Sequence, residues 1–188
     1  VESDKFNPAA TNRSEAKSSH KKWFPYQKGG PFRKYYGNME FVINWENDGH
    51  GLRTLKDDKG KVPAHAFNEN YIFRPNVNWS ALTSGNFSAR MTLQGALFDA
   101  SGSAAFPEDS NDVYVLAAYL NSQVARKMIG AINPTLNFQA WEIGSLPILQ
   151  ESIGVYSSEI SKKTETLRFV AKSDWDAYET SWDFTTLP

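Results

Sequence analysis

The chain contains no cysteine in 188 residues, which excludes a disulfide framework and any thiolate metal site and suits a reducing, cytoplasmic compartment. Histidine is scarce as well: His20, His50 and His65 have no i, i+4 partner and no neighbouring ligand cluster. Structural zinc, which takes about four ligands at workable spacing, has nothing to build on. No apolar run approaches the ~20 residues of a membrane helix, and no charged-then-apolar leader opens the chain, so no membrane partner is expected. The first residue is Val, and VESDKFNPAATNRSEAKSSH is polar and unpatterned. Residues 1–20 are therefore expected to form a disordered or extended linker, and the chain to be a piece of a longer polypeptide.

Acid is missing from one stretch in particular. Six Lys/Arg and no Asp/Glu lie between Glu15 and Glu40. Residues 1–90 hold 14 Lys/Arg against 9 Asp/Glu, whereas residues 91–188 hold 6 against 12. The formal net charge of -1 thus hides a cationic region on a neutral body. Local potential, not net charge, decides where a polyanion docks, so DNA remains a candidate partner beside the plainer reading of a solvated charged face. Within this region KKWFPYQKGGPFRKYYGN, residues 21–38, combines six aromatic rings with five prolines and glycines.

What is present along the chain is an α+β pattern. MEFVINW alternates, with Phe41, Ile43 and Trp45 on one side, as in a half-buried strand. NENYIFRPNVNW and SARMTLQGALFDA are two further strand-like runs, with Pro75 and Gly95 at edges or bulges. The Gly- and Asp-rich ENDGHGLRTLKDDKGKVPAHAFN between the first two reads as a long loop. VYVLAAYLNSQVARKMIGAI places Val113, Leu116, Leu120, Val124 and Met128 at helical spacing after a Ser110/Asn111/Asp112 cap cluster, which predicts one amphipathic helix. INPTLNFQAWEIGSLPI reads as a turn, a short strand and a proline-terminated end. Ile153, Ile160 and Leu167 form a weak helical seam, and Ser173 with Asp176 predicts a capping box that starts a last short helix over DWDAYETSWDF. The expected architecture is a mixed, mostly antiparallel sheet with one main packed helix over residues 21–150, followed by a helical extension over 151–188.

These motifs in this order, from WFPYQKGGPFRKYYGN and VINWENDG through NWSALTSGNFSAR, LAAYLNSQVARKMI and INPTLNFQAWEIGSLPI to DWDAYETSWDF, resemble the C-terminal part of adenine-specific DNA methyltransferases. The group resembled includes the methyltransferases of BREX phage-defence systems and type IIG restriction-modification enzymes, and the resemblance covers about residues 21–188. It implies a target recognition domain that reads double-stranded DNA, with an N-terminal methyltransferase domain of the same polypeptide as its neighbour. It also implies S-adenosylmethionine as the parent enzyme's cofactor, and other defence-system proteins as further partners. The family's catalytic loop is Asn/Asp-Pro-Pro-Tyr/Phe. Here Asn7-Pro8 is followed by Ala and Asn133-Pro134 by Thr, so neither serves. No catalytic residue is assigned, and this chain is expected to hold no cofactor.

Two patches carry the candidate DNA contacts. In the opening motif Gly29 and Gly30 allow positive φ and close backbone approach. Lys28, Arg33 and Lys34 suit phosphates, Arg33 alternatively a guanine edge, and Tyr35 and Tyr36 suit sugar or backbone contacts. Trp23 and Phe32 read as core rings. In TSGNFSARM the small polar side chains Ser84, Asn86 and Ser88 precede Arg90; this fits phosphate or base-edge contacts, or equally a hairpin turn with Arg90 in an internal ion pair. Asn47 suits an adenine edge or a turn cap. Two other functional classes stay open: a module that docks other defence components, and, from the aromatic content, a carbohydrate-binding domain.

Overall fold

The polar segment 2–20 is built into the molecule. Asn12 accepts from the Glu15 amide at 2.9 Å and so caps a short helix, α1 (Arg13–Ser18). Ala10 and Ala16 are buried. These residues are thus part of a core, which the expectation of a linker did not foresee. The computed structural model describes residues 2–62, 68–148 and 150–186, and for 150–153 the backbone alone; His65 and the side chain of Ile153 lie outside the described residues.

The alternating runs give strands, divided between two small sheets. β1 (Trp23–Gln27) pairs antiparallel with β2 (Phe41–Asn44), Trp23 opposite Asn44. The expected long loop is in part a helical segment, α2 (Glu46–Thr54), entered through Asn47, Asp48 and Gly49 at φ of 51°, 59° and 73°. NENYIFRPNVNW begins with a 3-10 turn over Glu69–Tyr71 and becomes extended only at β3 (Asn76–Trp79). SARMTLQGALFDA is split. Its first half, β4 (Ala89–Thr92), pairs antiparallel with β3, and its second, β5 (Leu97–Phe98), crosses to the other sheet and runs parallel to β1. Gly95 makes the crossing at φ 81°, where a Cβ would overlap the Pro8 carbonyl. β6 (Ala104–Ala105) completes the order β4-β3-β6, beside β2-β1-β5.

The single helix expected over residues 113–132 is two, α3 (Asp112–Leu120) and α4 (Gln123–Ile132). The break falls at Asn121, whose side chain turns to β4: Oδ1 accepts from the Ala89 amide at 3.1 Å and Nδ2 donates to the Ala89 carbonyl at 2.9 Å. Ser122 then caps α4 by accepting from the Ala125 amide. The helical phase is reset, leaving Val124 56% exposed while Ala125 and Ile129 face inward. Asn111 stands at the start of α3 without a side-chain cap bond. The expected short strand in INPTLNFQAWEIGSLPI is a helix, α5 (Ala140–Gly144), whose Glu142 accepts from the Gln139 amide at 2.8 Å. The last element is one long helix, α6 (Gln150–Asp176), packed on α3. Ser173 lies inside it and starts no new helix, because the inward face of Ile160, Thr164, Arg168 and Trp175 continues past it.

Two cores result. One joins β3 and β4 to α3, α4 and α5 through Val77, Trp79, Met91, Val113 and Leu120. The other joins β1 to α1 and α2 through Phe24, Ala16, Trp45 and Phe73. Each fully buried side chain of the Val, Phe or Met class contributes about 1.5–3 kcal/mol. Both sheets are therefore anchored frames for the segment 28–38 that bridges them.

Candidate nucleic-acid interface

The opening motif leaves β1 at Gln27 and turns at Gly29 and Gly30, with φ of 81° and 142°. The close approach these glycines allow is to the protein itself. A Cβ at Gly29 would stand 2.8 Å from the Ser101 carbonyl oxygen, and one at Gly30 would stand 2.8 Å from the Asn38 side chain. Ser80, just past β3, accepts from the Gly30 amide at 2.9 Å and donates to its carbonyl at 2.8 Å. The chain then runs along the free edge of β4. The Arg33 amide donates to Ser88 Oγ at 3.3 Å, the Tyr35 amide to the Ala89 carbonyl at 2.8 Å, and the Met91 amide to the Tyr35 carbonyl at 3.0 Å. Tyr35 holds φ 68° to do so, a conformation that costs a non-glycine residue about 1–3 kcal/mol and persists only where surrounding contacts impose it.

The basic residues of the motif have different fates. Arg33 Nη1 donates to Asp174 at 2.6 Å, and its guanidinium stacks 5.1 Å from the Trp175 ring and 5.7 Å from Tyr178. It ties the loop to the end of α6. Lys34 is exposed, and its Nζ reaches the Asn121 carbonyl at 3.1 Å, at the C-terminus of α3 where a cation complements the helix dipole. Lys28 lies 3.9 Å from Asp99 and near the rings of Tyr26 and Phe41. The Tyr36 ring lies 5.2 Å from the Arg168 guanidinium and 5.5 Å from Lys172 Nζ, both on α6, and burial raises its phenol. Phe32, expected in the core, is 50% exposed, and Trp23 is half-buried.

The second patch adjoins the first. Residues 80–88 connect the antiparallel β3 and β4, with Thr83 Oγ1 accepting from the Gly85 amide; the hairpin reading holds for the backbone. Ser84 and Asn86 are exposed at its tip, Leu82 is 74% exposed, and Ser88 is buried against Arg33. Arg90 is 2% exposed and has no carboxylate partner among the described residues, so the internal ion pair is absent. Its Nε donates to Asn78 Oδ1 at 3.2 Å, and its Nη1 is buried without a partner. Burial pushes the guanidinium down to about 10, so it stays charged at neutral pH.

The structure therefore brings Arg33, Lys34, Tyr35, Ser88 and Arg90 together along β4, with Gly29 and Gly30 at Ser80 past the end of β3, Ser84 and Asn86 at the tip of the β3–β4 connection, and Tyr36 packed against α6. Asn47 lies apart, exposed at the left-handed entry to α2. The residues that organise the edge, Ser80, Asn78, Asn121 and Asp174, were missed in the sequence. Only Asn121 left a signal there, as a polar break in an otherwise apolar helical run.

No protein-family model matches the chain. Two curated proteins are similar to it. Adenine-specific methyltransferase PglX of Lacticaseibacillus casei (strain Zhang) is 38% identical over 167 residues, covering 88% of this chain and 14% of that protein. Adenine-specific methyltransferase BrxX of Escherichia coli O9:H4 (strain HS) is 35% identical over 166 residues, covering 87% of this chain and 13% of that protein. The chain is thus similar to one part of adenine-specific methyltransferases of the PglX and BrxX type, and it spans about one seventh of the length of these relatives.

Proposed function

We propose that this chain is the double-stranded DNA recognition module of an adenine-N6 methyltransferase of a phage-defence or restriction-modification system, acting in the cytoplasm, with the catalytic domain elsewhere in the same polypeptide. The observation that carries this reading is the β4 edge, where a basic loop is bonded to Ser80 and Ser88, the two ends of a connection with a polar exposed tip, in a chain related to adenine-specific methyltransferases. Lys34 and Lys28 contact phosphates and position the duplex. Ser84 and Asn86, on the exposed tip, have the donors and acceptors to read base edges. Arg33 acts through its hold on the loop. The catalytic domain takes an adenine out of the stack while this module retains the flanking site.

The residues present do not fit a methyl-donor site. Gly29 and Gly30 follow a strand, but they are pinned to Ser80 and Ser101 and lead into no helix. The Asn133 side chain is engaged by Glu142, Asn137 and Thr135. S-adenosylmethionine, which supplies the methyl group, is accordingly assigned to the catalytic domain. The test is duplex binding by the purified chain, followed by fluorescence anisotropy across a salt series, with methyl transfer measured in parallel. Weak binding with log K falling by about 0.9 per phosphate contact against log salt, and no methyl transfer, is the expected result. Affinity that ignores salt would sink the reading.

A further inference from the structure

Two cavities among the described residues lie away from the β4 edge and differ from it in chemistry. One, of about 730 Å³, opens between β6, α3, α5 and α6 over a floor that includes Trp79, Leu116, Ile143 and Leu146. It shares Ala104, Phe106 and Ala140 with a second, of about 770 Å³, that reaches β5, so the two form one trough. β5 and β6 are edge strands of their sheets, and among the described residues neither has a strand on its outer side. Such edges present backbone donors and acceptors for pairing.

The rim of the trough is acidic. Glu108 and Asp112 line it, Asp109 lies beside them in sequence, and all three are exposed. Among the described residues none of the three is in a salt bridge. Arg74 lies nearby, donating to the Pro107 carbonyl at 3.5 Å and stacking on Tyr71. Arg53 and Asp99 also line the second cavity, but Arg53 is paired with Asp48 and Glu69, and Asp99 with Lys28. At the mouth of the first, the three unpaired carboxylates beside Arg74 repel a polyanion and attract lysine and arginine. An apolar floor, open strand edges and a negative mouth together match a polypeptide in extended form. Its main chain would pair with an edge, its apolar side chains would fill the floor, and its cations would meet the rim.

We propose that the trough between β5, β6, α3 and α5 docks an extended protein segment whose apolar side chains are flanked by Lys or Arg. This interaction is independent of DNA recognition, since Lys34, Ser84 and Asn86 line neither cavity. The test is selection of a displayed library of random short peptides on the folded chain. Enriched sequences are expected to join Leu, Ile or Phe to Lys or Arg, and a synthetic peptide made from them to slow amide exchange over 104–106. Leu116→Glu is expected to weaken that peptide by at least about tenfold, leaving duplex-DNA affinity unchanged. Glu108→Lys combined with Asp112→Lys, at exposed positions that fold regardless of the floor, is expected to shift the selection toward acidic peptides. No enrichment, enrichment without basic residues, or a selection that the charge reversal does not change would overturn the proposal. Self-association abolished by Leu116→Glu, in place of peptide binding, would assign the trough to a second copy of the chain and equally overturn it.

Discussion

Arginines near β1 and arginine on β4 are held in opposite ways. Arg13 and Arg53 share Asp48 and Glu69: Arg13 Nε donates to Asp48 at 2.9 Å, and both guanidiniums reach Glu69, at 2.8 and 2.9 Å. Two cations and two carboxylates close on themselves and join α1, α2 and the Glu69–Tyr71 turn. Arg90 has only the Asn78 amide oxygen. Charge in the first region holds the fold together and is cancelled locally. The charge of Arg90 is left uncancelled but buried, and the cation on the same edge that an outside anion can reach is the exposed Lys34. The difference explains how a chain of net charge -1 can present one cationic edge.

The sharpest way to break this comparison is to remove Arg90. Arg90→Ala leaves a cavity and takes the partner from Asn78 Oδ1, and is expected to cost about 3 kcal/mol in urea denaturation. Arg90→Met keeps most of the buried stem and removes a charge that has no ionic partner. It is expected to recover more than half of that loss. If both variants were equally unstable, the guanidinium would have to be a structural requirement of β4, and the contrast with Arg13 and Arg53 would fall.

Arg33 comes next in size. Its truncation removes an ion pair and two ring contacts, one of them to the buried Trp175, and is expected to cost about 1–2 kcal/mol. Arg33→Lys keeps the charge without the planar stack and is expected to restore less than half. In the full-length enzyme Arg33→Ala should weaken methylation at all sites alike, because the loop loses its hold on α6. A profile over randomised sites that relaxes at one position only would instead make Arg33 a base reader.

Lys34 and Arg13 provide the direct test of available against cancelled charge. Lys34→Ala is expected to make the salt slope of duplex binding shallower by about 0.9, the loss of one phosphate contact, with little change in stability. Arg13→Ala, removing the same formal charge, is expected to leave the slope unchanged. Equal slopes for the two variants, by fluorescence anisotropy, would mean that net charge alone governs binding.

The neighbours Arg33 and Lys34 also show where the sequence stops being informative. Both read as DNA contacts in the motif, yet the partner that captures Arg33 is 141 residues away, beyond any local pattern. Strands were legible because alternation is local, and the α+β class followed from them. Their allotment to two sheets was not, since it depends on Gly95 crossing the N-terminal segment at Pro8. The division of α3 from α4 was missed for a related reason: apolar residues recur at helical spacing in the sequence on both sides of Asn121, and what breaks the helix there is the bond of its side chain to Ala89 on β4. Ser173 and Asp176 form a proper capping signal that tertiary packing overrides, because Arg168 and Trp175 are both needed against the opening loop. The polar tip at Ser84 and Asn86 could be read directly, as an exposed turn needs only its own residues.

The smallest effect belongs to the cancelled charges themselves and appears in acid. The hydrogen bond from Arg13, with the positive charges of Arg13 and Arg53, holds the Asp48 carboxyl below its ordinary value of 3.8. A carboxylate whose folded value is depressed contributes stability that is complete above the unfolded value and is lost as pH falls through the folded one. The contribution of Asp48 should therefore be constant from neutrality down to its ordinary titration range and disappear below it. Because the group is partly solvated, the amount is expected to be about 0.2–1 kcal/mol, that of a surface pair. Asp48→Asn should lower stability by this amount at neutral pH and converge with the parent in acid. Denaturation midpoints taken from neutral to strongly acidic pH would show the convergence. Curves that stay parallel throughout would mean that Asp48 holds α1 and α2 together by its shape and hydrogen bonds, with its charge contributing nothing.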